Sequence, residues 1–403
     1  MFSLLLVALT AAAQPETLIV SPNATVAAAV ARAHDGDVIR VEHGTYAEPM
    51  IVVDKQLTLL GDGWPVLDGQ ATHQIMSITA DDVTVRGFVF RNVGTSFVED
   101  RAALKVTKAR GCVITDNRIE RAFFGIFLAA ANDCRITNNV ISGTGATEAS
   151  AGNGIHLWTS NRIHIAGNRI SGQRDGIYLE FVHESEILGN TSEHNLRYGL
   201  HFMYSDDCRY VDNVFRANSA GVAVMMTKRV TMTGNRFESN WGSASYGLLL
   251  KEVYDVRLEG NQFIRNTVGL LADGANRIDA EHNEFRRNGW ALKLLASTDE
   301  GHFRANNFIG NTFDVATNNR ESTNDLAGNY WDAYRGYDLD HNGVGDVPFH
   351  PVRLFSLLVQ TNESSLVLLR SVFVSLLDAA ERAIPTLTPQ ALVDRSPMMH
   401  PLP

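Results

Sequence analysis

Positive charge is scarce in this 403-residue chain: 35 Lys and Arg stand against 45 Asp and Glu, a formal net charge of −10. That balance argues against nucleic acid as a partner, because binding to a polyanion rests on cationic side chains. Cysteine is almost missing. Cys112, Cys134 and Cys208 are an odd number, so at most one bridge can form, between Cys112 and Cys134, and ladder spacing is wider than the ~3.8 Å preferred between bridged Cβ atoms. Each lies five residues before an Asn, where other stretches have Ile163, Val230, Val256 and Ile278, so the thiols read as small apolar fillers of an inward column. Proline is confined as well. Five of its 11 residues stand at Pro385 or later and keep that end out of regular structure.

What the chain does have is a repeat. An apolar residue, two residues, Asn, one residue and a second apolar residue recur about ten times. The Asn positions are 117, 139, 168, 190, 213, 235, 261, 283, 306 and 329. They are separated by 22, 29, 22, 23, 22, 26, 22, 23 and 23 residues. Turns this short leave no room for a helix in each repeat, no Leu-rich consensus is present, and propeller blades need about 40 residues. Alternating apolar residues around each Asn predict strands with one buried face. The fold expected is all-β: a right-handed parallel β-helix, a solenoid whose coils stack at roughly 4.8 Å.

Particular contacts follow. The Asn amides are expected to bond from coil to coil. Residues two places after the later Asn, Phe215, Phe237, Phe263, Phe285, Phe308 and Trp331, predict an aromatic stack. Gly125, Gly154, Gly176, Gly199, Gly221, Gly247 and Gly269 open a further strand, and a sharp bend with positive φ is the expected reason. The two long separations predict loops at 142–153 and 240–246. A short apolar helix, Thr25 to Ala33, can cap the open start. From Asn362 to Ala383 a helix of about six turns is expected to cap the other end. The organisation read is a signal peptide at 1–13, the solenoid with its cap and closing segment at 14–350, and a helix with a Pro-rich docking tail at 351–403.

Function is sought in the outward columns. Alternation points the second and fourth residues after each glycine outward, giving Phe127, His156, Tyr178, His201, Ala223 and then Ala129, Trp158, Glu180, Met203, Met225. Thioether sulfur with imidazole is the ligand set that selects Cu(I). His201, Met203, Met225, Met226 and His156 are therefore the candidate copper patch, with Trp158, Tyr178 and Tyr204 as its partner-binding surround; an apolar docking patch without metal is the rival reading. Asp338, Asp340, Asn342 and Asp346 match the start of a calcium loop, although Phe349 stands where a bidentate Glu is expected. Asx-turn chemistry accounts for the same residues without a metal.

The run Asn329-Tyr-Trp-Asp-Ala-Tyr-Arg-Gly-Tyr-Asp-Leu-Asp-His-Asn-Gly-Val-Gly-Asp-Val-Pro-Phe349 resembles the closing segment of NosD-type proteins. The apolar helix and the tail Val393-Asp-Arg-Ser-Pro-Met-Met-His-Pro-Leu-Pro403 resemble theirs too. That resemblance implies a periplasmic protein that helps assemble the copper centres of nitrous oxide reductase, working with an ABC-type ATPase and a membrane subunit. It implies that Leu366, Leu369, Phe373 and Leu377, with Arg395, Pro397, Met398 and Met399 of the tail, contact the membrane subunit. The wall would meet a copper chaperone or the reductase, and membrane contact would come through the partner only. The alternative is a lyase or epimerase acting on acidic polysaccharide, which needs a carboxylate cluster and a base in one groove. The outward columns supply few of those groups, so the protein is expected not to be an enzyme itself.

Overall fold

The computed structural model describes residues 14–96, 98–144, 147–295, 297–318, 322–369, 371–384 and 391–403. The signal-peptide reading of 1–13 lies outside the described residues.

Three sheets of 14, 12 and 13 short strands run the length of the molecule. Neighbouring strands in each are parallel and pair residues one coil apart, for example Ile114 with Ile136, Ile119 with Ile141, and Leu104 with Ile126. A parallel β-solenoid is thus the architecture, as the period requires. Inward side chains of all three sheets form one continuous core, in which Ile114, Leu128, Ile165, Phe202 and Leu258 are buried.

The ladders hold the corners. Asn117 donates its backbone N–H and its Nδ2 to Oδ1 of Asn139, at 3.0 and 3.1 Å. The same pair of bonds recurs from Asn139 to Asn168 and on to Asn329. Each Nδ2 also reaches a carbonyl of the coil before, as Asn139 does at Ile114. The left-handed residue is the one preceding the Asn: Asp116 has φ 52° and Gly167 φ 65°. A second ladder joins Asn195, Asn218, Asn240, Asn266, Asn288 and Asn311. Between them the rings from Phe237 to Phe308 lie nearly parallel at 4.6–5.0 Å.

The glycine column has a different cause from the one expected. None of its seven members has a positive φ. A Cβ at Gly154 would instead stand 2.6 Å from the carbonyl oxygen of Gly176, and one at Gly269 equally close to that of Ala291. Coils approach too closely there for any side chain.

Both ends are covered. Helix α1, Val26–Arg32, begins at Thr25, whose hydroxyl accepts the Ala28 N–H, and buries Val26, Ala29 and Val30 on the first coils. In place of the single helix expected from Asn362 to Ala383 stand a 3-10 segment (Glu363–Leu368) and a helix, and a further helix precedes them: α2 is Leu354–Thr361 and α3 is Val372–Ala383. Asn362 and Ser371 each cap the stretch that follows, through Ser364 N and Val374 N, and Ser371 divides the expected helix. These helices do not close the coil end. Phe355, Val359 and Val374 are buried against Ala223, Leu249, Trp290 and Phe313, on the outer face of the 12-stranded sheet.

The plug is the tail itself. Asp394, fully buried, accepts from Asn329 N and Nδ2 and from Trp331 Nε1, all at 3.0 Å, and so takes the place of the next Asn. Pro397 is buried, Met398 N donates to Asn329 O, Met399 N to Gly343 O, and Leu402 N to Asn307 Oδ1. Pro397, Met398 and Met399, expected to contact a partner, lie in this cover, the first buried and the two methionines half-buried. Arg395 alone of that group is exposed.

Candidate functional site

Strand register sets the columns on the outer face of the 12-stranded sheet. One runs Phe127, His156, Tyr178, His201, Ala223, Leu249. Beside it runs Ala129, Trp158, Glu180, Met203, Met225, Lys251. Met203 and Met225 are therefore direct neighbours on adjacent coils, and His201 is on the same face two residues earlier. Tyr178 closes one side of this group. Its hydroxyl lies 3.5 Å from Met203 Sδ and 3.3 Å from Glu180 Oε2. Burial, then the nearby Glu180 charge, push it up to about 12, so it stays protonated.

The face is less open than alternation implies. His201 is 8% exposed, packed between the rings of Tyr178 and Tyr198 at 5.1 and 4.9 Å. Below it Asp175 is fully buried, bonded by Arg197 Nε at 2.8 Å and by the Tyr198 N–H. Burial pulls the Asp175 carboxyl upward, but Arg197 and His201 outweigh it and hold it below the usual range. His201 Nδ1 is 3.9 Å from Asp175 Oδ2, and neither ring nitrogen of His201 has a hydrogen-bond partner. Buried polar atoms are seldom left so. Asp175, Arg197 and Tyr198 escaped sequence reasoning, since only the register brings them under His201.

Other candidates sit elsewhere. His156 is two coils from His201, with Tyr178 between them, and its Nδ1 is 3.0 Å from Asn153 Nδ2. Burial, with Arg174 nearby, lowers its pKa to about 3. It does not join the methionines. Met226 and Tyr204 are left-handed turn residues at φ 50°, one place beyond the strand, and the Tyr204 ring stacks on exposed Phe181 at 5.0 Å. Trp158 is half exposed, two coils before Met203.

The Asp338–Asp346 loop uses its oxygens on backbone amides. Asp338 accepts from Asn342 and Gly343, Asp346 from Leu339, and Asn342 Oδ1 from Val344. That is turn chemistry, and calcium is not supported. Among the described residues no group of three or more His, Cys, Asp or Glu side chains could hold a metal ion. A copper site here would have to include thioethers. The three cysteines are buried inward fillers.

A family described as periplasmic copper-binding protein (NosD) matches residues 139–336. A probable ABC transporter binding protein NosD of Pseudomonas aeruginosa is 32% identical over 370 residues, covering 87% of this chain and 85% of the relative. The protein of the same name from Stutzerimonas stutzeri is 27% identical over 381 residues, covering 89% and 86%. Among solved structures, a PL6 alginate lyase in complex with trisaccharide superposes with a TM-score of 0.60 over 78% of this chain and 85% of the lyase. At 13% identity that likeness concerns the fold alone.

Proposed function

This chain belongs to the NosD family, and from that premise we propose that it is a periplasmic accessory protein which helps assemble the copper centres of nitrous oxide reductase. It acts with an ABC-type ATPase and membrane subunit, and it handles Cu(I) on its outer wall. The observation that carries the copper reading is the juxtaposition of Met203 and Met225 on adjacent coils beside His201. A His201 ring nitrogen without a hydrogen-bond partner fits a ligand for one Cu(I) ion, and the Tyr178 hydroxyl lies 3.5 Å from the Met203 sulfur. Bound there, Cu(I) would be cargo, and Asp175 would orient the imidazole from behind.

The partner surface is the helical layer. Val367, Val372, Leu376 and Phe373 are 88, 76, 65 and 48% exposed, a group of large apolar side chains open to solvent on one layer. Among the described residues no helix is long and apolar enough to cross a membrane. A catalytic reading has less support, because Tyr178 is kept protonated, and Asp175 and His201 are enclosed.

Cu(I) titration against a competing chelator tests the proposal. The Met203→Leu/Met225→Leu variant should bind at least about tenfold more weakly than the native chain. Equal affinity rejects the copper site. Recovery of the native chain from membranes with an ATPase and a permease, and its loss in the surface variant Val367→Asp/Leu376→Asp, tests the partner surface separately.

A further inference from the structure

The helical layer does not stop short of the methionine patch. Outer-face columns of the 12-stranded sheet pass from Tyr198 to Ala220, from His201 to Ala223 and from Met203 to Met225, one coil on. Ala223 is a small side chain on an outward column, yet it is fully buried, and Ala220 is buried beside it. Both lie in the cluster that takes Phe355 and Val359 of α2 and Val374 of α3. Tyr198 and Met225 pack against that cluster from the sheet, and Leu369 and Leu377 from the helical side. The edge of the layer therefore falls inside the patch. It reaches the coil of Met225, and the coil of His201 and Met203 comes immediately before.

Helix α3 presents apolar side chains both ways. Val374 and, one turn on, Leu377 face the cluster, while Val372, Phe373 and Leu376 face solvent. Glu381, buried, ties α3 to α2 by accepting the Leu354 N–H at 2.7 Å, so a pull on one helix is passed to the other. A methionine side chain is unbranched and flexible, and its sulfur keeps a ligand position only where the surroundings fix its rotamer. For Met225 those surroundings include the helical cluster. We propose that the helical layer is a regulatory lid of the Cu(I) site. Seated, it fixes Met225 beside Met203 and His201; drawn off the sheet by a partner on its outer face, it frees Met225 and the ion is released. The lid rests on the copper reading above and adds to it the control of release. Loss of one preorganised ligand is enough to weaken such a site.

Cu(I) titration and hydrogen exchange on the full chain test the lid together. Val374→Ala/Leu377→Ala thins the inner contacts of α3 and leaves Met203, Met225 and His201 untouched. Cu(I) affinity should fall at least about fivefold in this variant, while exchange of the 372–383 amides rises. Linkage is reciprocal, so Cu(I) should slow exchange of those amides in the native chain, and should not in Met203→Leu/Met225→Leu. Unchanged affinity in the α3 variant, with its amides exchanging faster, overturns the lid and leaves the copper site standing. So does native exchange at 372–383 that is indifferent to saturating Cu(I). A native chain that takes up no Cu(I) removes the copper reading itself, and the lid with it.

Discussion

Asn235 makes plain what one ladder amide does. Its Oδ1 accepts from Asn213 N and Nδ2 at 3.0 and 2.9 Å, and its Nδ2 donates to Tyr210 O and to Asn261 Oδ1. Asn235→Ala would leave the buried Asn213 N–H without an acceptor and Asn213 Nδ2 with Ile187 O alone, at about 1–3 kcal/mol for each lost bond. A loss of roughly 3–5 kcal/mol is expected, read as a fall in Tm. His156 gives a pH signature. Its folded pKa near 3 lies below the unfolded value near 6.5, so the unfolded chain binds the extra proton between them. Stability should therefore fall as pH drops from about 6.5 toward 3, by up to about 1.4 kcal/mol per pH unit. His156→Gln should flatten that slope in Tm against pH; an unchanged slope would place the titration elsewhere. The Asn ladder was legible because a buried amide column must repeat at the coil period. The second ladder, in the N-x-apolar-x-x-N pattern of residues such as Asn261 to Asn266, was equally present in the sequence and was missed. Asp175 beneath His201 could not be read, since its ion pair joins residues 22 apart and needs the register first.

At the scale of elements, strands were readable and the C-terminal segment was not. Each strand is set by local alternation, whereas Asp394 meets Asn329 across 65 residues. Nothing near Asp394 in sequence marks it as a ladder member. Likewise a glycine column signals either a backbone bend or a close approach, and composition does not separate the two. If Asp394 closes the last coil, Asp394→Ala should expose the 325–331 strands. Hydrogen exchange in those strands should rise by about 10–100-fold, while the coils near Asn190 remain unchanged. Asp394→Asn keeps one oxygen acceptor and should restore most of the protection. Equal exchange in native and Asp394→Ala proteins would make the plug incidental.

The whole molecule is a one-dimensional stack, in which each coil contacts only its neighbours. Opening should therefore start at the ends. Hydrogen exchange by mass spectrometry should find the deepest protection between about Val182 and Leu258, falling toward α1 and toward the last coil. Uniform protection would instead make the solenoid a single cooperative unit. Stacking also gives the molecule a polarity. Every ladder Asn points its backbone N–H and one Nδ2 hydrogen toward the C-terminal end, so the bonds along the ladder run head to tail and polarise one another. The row terminates as a partial positive pole, much as a helix does at its N-terminus. A neutral side chain could satisfy the last donors, but only an anion is attracted by the whole row behind them. The carboxylate of Asp394 thus acts as the counter-charge at the positive end of the ladder.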